Sequence, residues 1–190
     1  SVLATDNLAA VEGVSNDHQS INIDAAGNTW TKAREFTNGG TSGTTATVSI
    51  WYSKAVGTLA SGGSLTVNLS GSVPAKAATC WQFTMGAGTI AVDGAADLAQ
   101  DAASNWGAVT VGSLASAEHL WVRGGAQESN ETTQWTGTSG FTNFTNNASV
   151  GGQDRTNMAV RGEFIIATAT TQTSDPTNTL ATTYDLASTM

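Results

Sequence analysis

The feature that most constrains this chain is an alternation of apolar and polar side chains with a period of two residues. Because successive side chains of a β-strand point to opposite faces, such alternation is typical of a strand with one buried face. Residues 46–55 (ATVSIWYSKA) and 64–70 (SLTVNLS) both alternate in this way, and a Ser-Gly-Gly turn precedes the second segment. These two segments predict a β-hairpin.

Similar segments recur along the chain, separated by clusters of Gly, Asn and Ser that favour turns. The spacing of these turn signals predicts about ten short strands. The candidate strands are residues 1–5, 20–24, 29–36, 46–55, 64–70, 76–85, 89–93, 107–112, 118–124 and 158–170, with a final candidate at 180–186. Residues 107–112 and 118–124 are expected to pair with each other.

Two segments depart from this pattern. Residues 94–106 are rich in Ala and Asp and lack β-branched residues, which predicts a short helix or an ordered loop. Residues 125–157 are rich in Thr, Asn, Gly and Ser, and they predict a long polar insert loop.

The composition agrees with an all-β fold. Only 12% of the 190 residues are charged, about half of the roughly 25% found in an ordinary soluble domain. Thr, which favours pleated sheets, and Gly and Asn, which favour turns, help to fill the gap. We therefore expect residues 1–190 to form a single all-β domain, an antiparallel β-sandwich with a jelly-roll-like topology.

Charge and cysteine content disfavour several functional classes. The net charge is −8 and the seven Lys and Arg residues are scattered singly, whereas a nucleic-acid surface requires clustered cations. No apolar run approaches the ~20 residues of a membrane-spanning helix. The single cysteine, Cys80, cannot form an intrachain disulfide and is expected to be a small buried hydrophobe. We expect neither a nucleic-acid nor a membrane partner.

The two histidines give no indication of catalysis. His18 lies in a polar stretch (SNDHQS) and is expected to be solvated. His119 alternates with Trp121 and Arg123, which places it on the expected polar side of its strand. The G-x-S-x-G motif of a hydrolase nucleophile does not occur. The sequence therefore predicts no catalytic residues, no cofactor and no enzyme activity.

The acidic residues suggest structural roles. Glu163 and Arg161 share one face of a predicted strand and are expected to form an ion pair. Asp93, Asp97 and Asp101 recur every four residues, which could line carboxylates along one face of a helix for a calcium ion. A solvated acidic loop explains the same spacing, and we favour it, so no metal site is predicted.

Three aromatic residues lie in the polar insert. Trp135, Phe141 and Phe144 occur among Thr, Asn and Gly residues in QWTGTSGFTNF. Three interpretations remain open. The rings could stack on a sugar, anchor a protein interface, or fold back as a lid over the edge of the sandwich.

Trp51 and Trp121 alternate against apolar neighbours and so fall on the nominally outward face of their strands. Two such rings would form an apolar patch that an isolated monomer does not readily expose. A second β layer within the chain or a neighbouring subunit could cover them. We expect a homo-oligomer.

Three stretches of the chain resemble a known group of proteins. They are DAAGNTWTKAREFTNG (24–39), VSIWYSKAVGTLASGGSLTVNLSG with AKAATCWQFTMGAG (48–88), and EHLWVRGGAQESN with MAVRGEFIIATATTQTSDPT (118–177). Together they resemble small proteins encoded among the structural genes of tailed bacteriophages. The resemblance covers most of the chain and implies no catalytic residues.

The resemblance implies a non-enzymatic component of the virion with a β-sandwich fold. Such a component would be a capsid decoration protein or a head or tail fibre subunit, assembled in the host cytoplasm. Its partners would be other copies of itself, with a trimer favoured, and virion proteins such as the major capsid or tail proteins. The alternative is a carbohydrate-binding, receptor-binding β-sandwich module that contacts a glycan of the host surface.

Overall fold

The structure is a computed structural model of the chain. It describes residues 1–6, 13, 18–22, 26–39, 45–54, 57, 62–73, 75–86, 88–129, 135–149, 157–177 and 183–190. Every regular element in these residues is a β-strand, and no helix occurs among them. The predicted all-β class is confirmed.

The described strands, in chain order, are β1 Val2–Asp6, β2 His18–Ile21, β3 Thr31–Asn38, β4 Ala46–Tyr52, β5 Val67–Leu69, β6 Lys76–Cys80, β7 Asp97–Ala103, β8 Val109–Val111, β9 Ala117–Gln127, β10 Thr142–Asn143, β11 Asn147–Ala148, β12 Ala159–Ala169, β13 Gln172–Ser174 and β14 Tyr184–Thr189.

Ten of these strands form two larger antiparallel sheets that pack face to face. Sheet I has the order β3-β4-β1-β6. Sheet II has the order β10-β12-β9-β14-β7, and β11 also pairs with β12. The antiparallel sandwich expected from the alternation is confirmed, with more strands than the ten predicted.

The central core lies between the two sheets. Val48 and Ile50 of β4 and Leu3 of β1 point from sheet I towards sheet II and are buried. Opposite them, β9 and β12 pair Gly124 with Gly162. A Cβ at Gly162 would lie 2.2 Å from Leu3 Cδ1, so the missing side chain allows the sheets to approach closely.

Each sheet is also covered on its outer face. The β2–β5 ribbon lies over sheet I and buries Trp51 together with Ile21, Leu65 and Val67. The β8–β13 ribbon and the segments beside it cover sheet II. The protein therefore has four layers in place of the two of a simple sandwich. Strand β4 of sheet I and the second half of β9 in sheet II are buried on both faces.

Polar side chains join β3, an edge of sheet I, to β7, an edge of sheet II. The guanidinium of Arg34 forms an ion pair with the carboxylate of Asp97, with Nε 3.2 Å from Oδ1. The side-chain amide of Asn38 donates to the carbonyl oxygens of Gln100 at 2.9 Å and Leu186 at 3.1 Å. These contacts close one side of the sandwich.

A polar contact also links the sheets on the opposite side. The side-chain amide of Asn147 on β11 donates to the carbonyl oxygen of Ala78 on β6 at 3.0 Å. Unpaired sheet edges are templates for aggregation, and covering them is a common protection. Both sides of the sandwich therefore have side-chain contacts across the gap between the sheets.

Two predicted pairings are wrong. The expected hairpin of residues 46–55 with 64–70 does not form, because β5 pairs with β2 instead of β4. Residues 107–112 and 118–124 do not pair with each other. The first contributes β8, which pairs with β13, and the second lies in β9 between β12 and β14.

The segments without alternation also differ from expectation. Residues 89–93 form no strand, whereas 94–106 contain β7 in place of a helix or loop. The predicted insert at 125–157 begins inside β9 and contains β10 and β11. Its residues 130–134 and 150–156 lie outside the described residues.

Candidate functional site

Trp51 and Trp121, expected on outward faces, are both buried, with 3% and 4% of their surface exposed. The indole N–H of Trp51 donates to the hydroxyl of Ser49 at 2.7 Å beneath the β2–β5 ribbon. Trp121 packs with Val109 and Val111 of β8. Two covers were expected for these rings, a second β layer within the chain or a neighbouring subunit. A second β layer within the chain covers them.

The aromatic residues of the insert also fold inwards. Trp135 and Phe144 are each 1% exposed, and only Phe141 of the three keeps a partly exposed ring. Trp135 meets Trp106 edge to face at 4.9 Å and donates its N–H to Asn143 Oδ1 at 3.0 Å. Of the three interpretations, the lid folded over the sandwich matches this burial. A fully buried ring offers no face to a sugar.

Arg123, on β9, is the centre of a buried polar cluster under this aromatic lid. Its guanidinium lies over the rings of Trp106 and Trp135, 5.9 and 5.3 Å from their centroids. Its nitrogens donate to the carbonyl oxygens of Ser174 at 2.9 Å and Gly107 at 2.8 Å. The cation therefore ties β9 to the outer layer that covers it.

Glu163, the residue opposite Arg123 in the β9–β12 register, supplies the balancing charge. Its carboxylate accepts hydrogen bonds from Thr138 N at 2.8 Å, from Thr138 Oγ1 at 2.6 Å and from Ser174 Oγ at 2.6 Å. Burial lowers the pKa of Arg123 to about 10, and the negative charges of Glu163 and Asp175 oppose that shift. The guanidinium therefore remains charged at neutral pH.

The predicted ion pair between Glu163 and Arg161 is wrong, because the cation that Glu163 faces is a different arginine. The carboxylate of Glu163 accepts hydrogen bonds from Thr138 and Ser174, and the cation that stabilises its charge is Arg123. Arg161 is buried and donates to the side chain of Asn146. The sequence did not indicate the role of Arg123, because its alternation with His119 predicts a solvated polar face of β9.

A second buried cluster surrounds His18, which is fully buried on β2 and not solvated as expected. Its Nδ1 lies 2.5 Å from Ser49 Oγ and 3.9 Å from Glu35 Oε2. Lys32 Nζ donates to Glu35 at 2.8 Å. A serine, a histidine and a carboxylate are therefore in contact.

This cluster lacks the arrangement of a hydrolase triad. In a triad the serine and the carboxylate contact opposite ring nitrogens, whereas here both approach Nδ1 of His18. Ser49 is also fully buried, so no substrate reaches its hydroxyl in this structure. The contacts hold the β2–β5 ribbon on sheet I.

Two of the three acidic residues considered for calcium, Asp93 and Asp97, contact different partners. Asp97 lies on β7, where it contacts Arg34 and accepts a hydrogen bond from Thr189 at 2.7 Å. Asp93 lies 3.7 Å from His119 Nδ1. Asp101 shares the β7 strand with Asp97. In the described part of the chain, no group of three or more His, Cys, Asp or Glu side chains could hold a metal ion.

Cys80 is exposed on the edge strand β6, so its predicted burial is wrong. It borders a shallow hollow of about 120 Å³ that Leu65 and Val67 line from the other side. Partial desolvation nevertheless raises the pKa of its thiol, which disfavours the nucleophilic thiolate. The hollow lacks the convergent polar groups of a ligand site.

The protein surface includes an exposed apolar area at the end of strands β9 and β12. Beyond the part covered by sheet I, β9 and β12 continue as a two-stranded ribbon in which Leu120 pairs with Ile166. These side chains are 44% and 50% exposed. We call their side of the ribbon the ribbon face. It consists of Leu120, Val122, Phe164 and Ile166 with the adjoining rings of Trp81 and Phe83.

The ribbon face continues the inner face of the sandwich. Phe164 and Val122 are partly buried against Trp81 and Phe83, with the rings of Phe83 and Phe164 4.7 Å apart. One step further along both strands, Leu120 and Ile166 have lost this cover. The face is therefore a sheet surface of interior type that is partly exposed to solvent.

No helix occurs in the described part of the chain, and hence none there is long and apolar enough to cross a membrane. Comparison with known proteins gives no match to a family model, to a curated protein or to a solved structure.

Proposed function

We propose that the protein is a non-enzymatic structural subunit of a bacteriophage particle, present in several copies as an outer capsid decoration protein or a head or tail fibre subunit. The sequence resemblance to proteins encoded among phage structural genes motivates the proposal. The structural observation that supports it is the contrast between sealed polar clusters and an exposed apolar face.

The polar clusters are built for stability. The groups around His18 and Arg123 that could perform chemistry are buried and hydrogen-bonded to neighbouring layers. By contrast, Leu120 and Ile166 are half-exposed side chains of the type that protein contacts cover. A subunit that works by packing against neighbours needs this distribution, whereas an enzyme needs an accessible polar cleft.

The glycan-binding alternative has lost the rings on which it depended. Trp135 and Phe144 are buried and hold the aromatic lid in place, and Phe141 is half-buried against Trp121 and its neighbours. Because the rings of Trp135 and Phe144 are buried, we propose the structural role alone.

The proposal is tested on particles of the phage that encodes this chain. Mass spectrometry of purified virions should detect it in a fixed ratio to the major capsid protein. Particles grown from a phage with the gene deleted provide the control, and negative-stain images should show them without an outer feature of the wild type. Absence of the chain from intact wild-type virions would contradict the proposal.

A further inference from the structure

We infer that copies of this chain pack against one another through the ribbon face, with Leu120 and Ile166 at the centre of the contact. The inference rests on the proposed function, because a subunit present in several copies needs a surface at which the copies meet. It also replaces the expectation that Trp51 and Trp121 form that surface, since both rings are covered within the chain.

The first argument is the type of surface. Even-numbered side chains of β9 and β12 face sheet I, and a Cβ at Gly124 would meet Val48, Leu3 and Ile50 of that sheet. Leu120 and Ile166 belong to the same face but lie beyond the last covering residues. The same face of a second copy would cover them as sheet I covers the rest, by face-to-face packing of two antiparallel ribbons.

The second argument is charge. The chain has a net charge of −8, so two copies repel each other over most of their surface. Among the described residues of β9 and β12, one charged residue shares the side that bears the ribbon face. It is Glu118, which pairs with Thr168 beyond Leu120 and Ile166. Asp93 contacts His119 on the other side of the ribbon, and Asp175 follows β13 in the outer layer. At the ribbon face, a second copy therefore meets one like charge on these two strands, that of Glu118.

This contact fits a closed assembly, either a two-fold dimer or a cyclic trimer. The same patch must serve on each subunit, and it does so around a two-fold axis or at the centre of a trimer. A basic protein is a less suitable occupant because the face offers Glu118 alone as a charged anchor.

The test compares Ile166→Lys with Val92→Lys. Both side chains are half-exposed, at 50% and 49%, but Val92 lies outside the ribbon face in a segment without strand structure. Light scattering coupled to size exclusion should give a dimer or trimer for the wild type and for Val92→Lys at high micromolar concentration. Ile166→Lys should be monomeric or associate at least tenfold more weakly, with an unchanged circular dichroism spectrum.

Hydrogen–deuterium exchange of the wild type provides a measurement that needs no variant. Concentrating the protein should slow exchange in residues 117–122 and 164–169 and leave β2 and β5 unaffected. A wild type that stays monomeric without such protection, or an Ile166→Lys variant that associates like the wild type, would overturn the inference. The virion experiment is independent, because a chain found in particles but monomeric in solution removes only this inference, and an oligomer absent from particles removes only the proposed function.

Discussion

At the scale of single residues, the most consequential side chain is a buried cation. Arg123 contacts two tryptophan rings and two carbonyl oxygens and lies near the carboxylate of Glu163, and these contacts join β9 to the outer layer that covers sheet II. Burying a guanidinium is costly, as its lowered pKa indicates. Such a group stabilises a fold only while its counter-charge and hydrogen bonds are all present.

We expect Arg123→Met to lower the free energy of unfolding by about 3–5 kcal/mol, because the carboxylate of Glu163 loses its counter-charge while remaining buried. The double variant with Glu163→Gln should recover part of this loss. Urea denaturation followed by tryptophan fluorescence measures both. Lys54→Met, at an exposed position, serves as the control. An equal loss in the single and double variants would show that the charge of Glu163 is not the cause.

Cys80 provides a second prediction at this scale, because it is exposed yet its thiol pKa is raised by partial desolvation. A raised pKa means less thiolate at a given pH, so the native protein should react fully with a disulfide reagent but more slowly than the unfolded chain at the same pH. The midpoint of rate against pH should lie higher for the native state. If the native protein failed to react, Cys80 would be buried, as the sequence predicts, and not exposed.

At the scale of elements, the alternation of apolar and polar residues predicted many strands correctly. It did not show that the second face of these strands is also buried. Residues 46–52 and 118–124 are strands as predicted, yet Trp51, Trp121 and Arg123 are all buried. An alternation with a period of two residues distinguishes the two faces of a strand, but it does not show whether another layer covers the second face. Pairings such as β2 with β5 depend on that layer and left no signal in either segment alone.

Strand β7 shows a different limit of the sequence. Its residues Asp97–Ala103 have low intrinsic preference for strands, and β14 on one side with β3 side chains on the other impose the extended conformation. The aromatic lid was one of three interpretations of Trp135 and Phe144, and their polar neighbours in sequence could not distinguish it from a sugar-binding or interface role. Tertiary contacts, which a local pattern does not contain, determine both.

Glycine determines how closely elements approach at the centre of the molecule. A Cβ at Gly162 would lie 2.2 Å from Leu3 Cδ1 and 2.9 Å from the carbonyl oxygen of Arg123. We expect Gly162→Ala to destabilise the fold by about 1–3 kcal/mol through overpacking. Gly86→Ala, where a Cβ meets nothing within 4 Å, should change stability by less than about 0.5 kcal/mol.

A second variant distinguishes overpacking from loss of glycine itself. Leu3→Val shortens the side chain that a Cβ at residue 162 would strike, so Leu3→Val with Gly162→Ala should cost less than the sum of the two single variants. Thermal unfolding of the four proteins completes this cycle. Additive losses would indicate that the backbone, and not Leu3, is the source of the strain.

At the scale of the whole molecule, the sandwich is closed unequally on its two sides. Between β3 and β7, an ion pair and the amide of Asn38 span the sheets, whereas between the described residues of β11 and β6 the side-chain amide of Asn147 makes the contact. Asn38 is fully buried and Asn147 is exposed. A hydrogen bond that satisfies buried carbonyl groups is more costly to lose than one that water can replace.

We therefore expect Asn38→Asp to lower the free energy of unfolding by about 1–3 kcal/mol, because a carboxylate or carboxyl oxygen would replace the amide that donates to Gln100 and Leu186. Asn147→Asp makes the same chemical change at an exposed position and should cost less than about 1 kcal/mol. Urea denaturation gives both values. Hydrogen–deuterium exchange in β7 should accelerate in Asn38→Asp only, since loosening this side frees the edge strand that Asn38 holds against sheet I. Equal losses in the two variants, or unchanged exchange in β7, would show that the β3–β7 side is not the stronger closure.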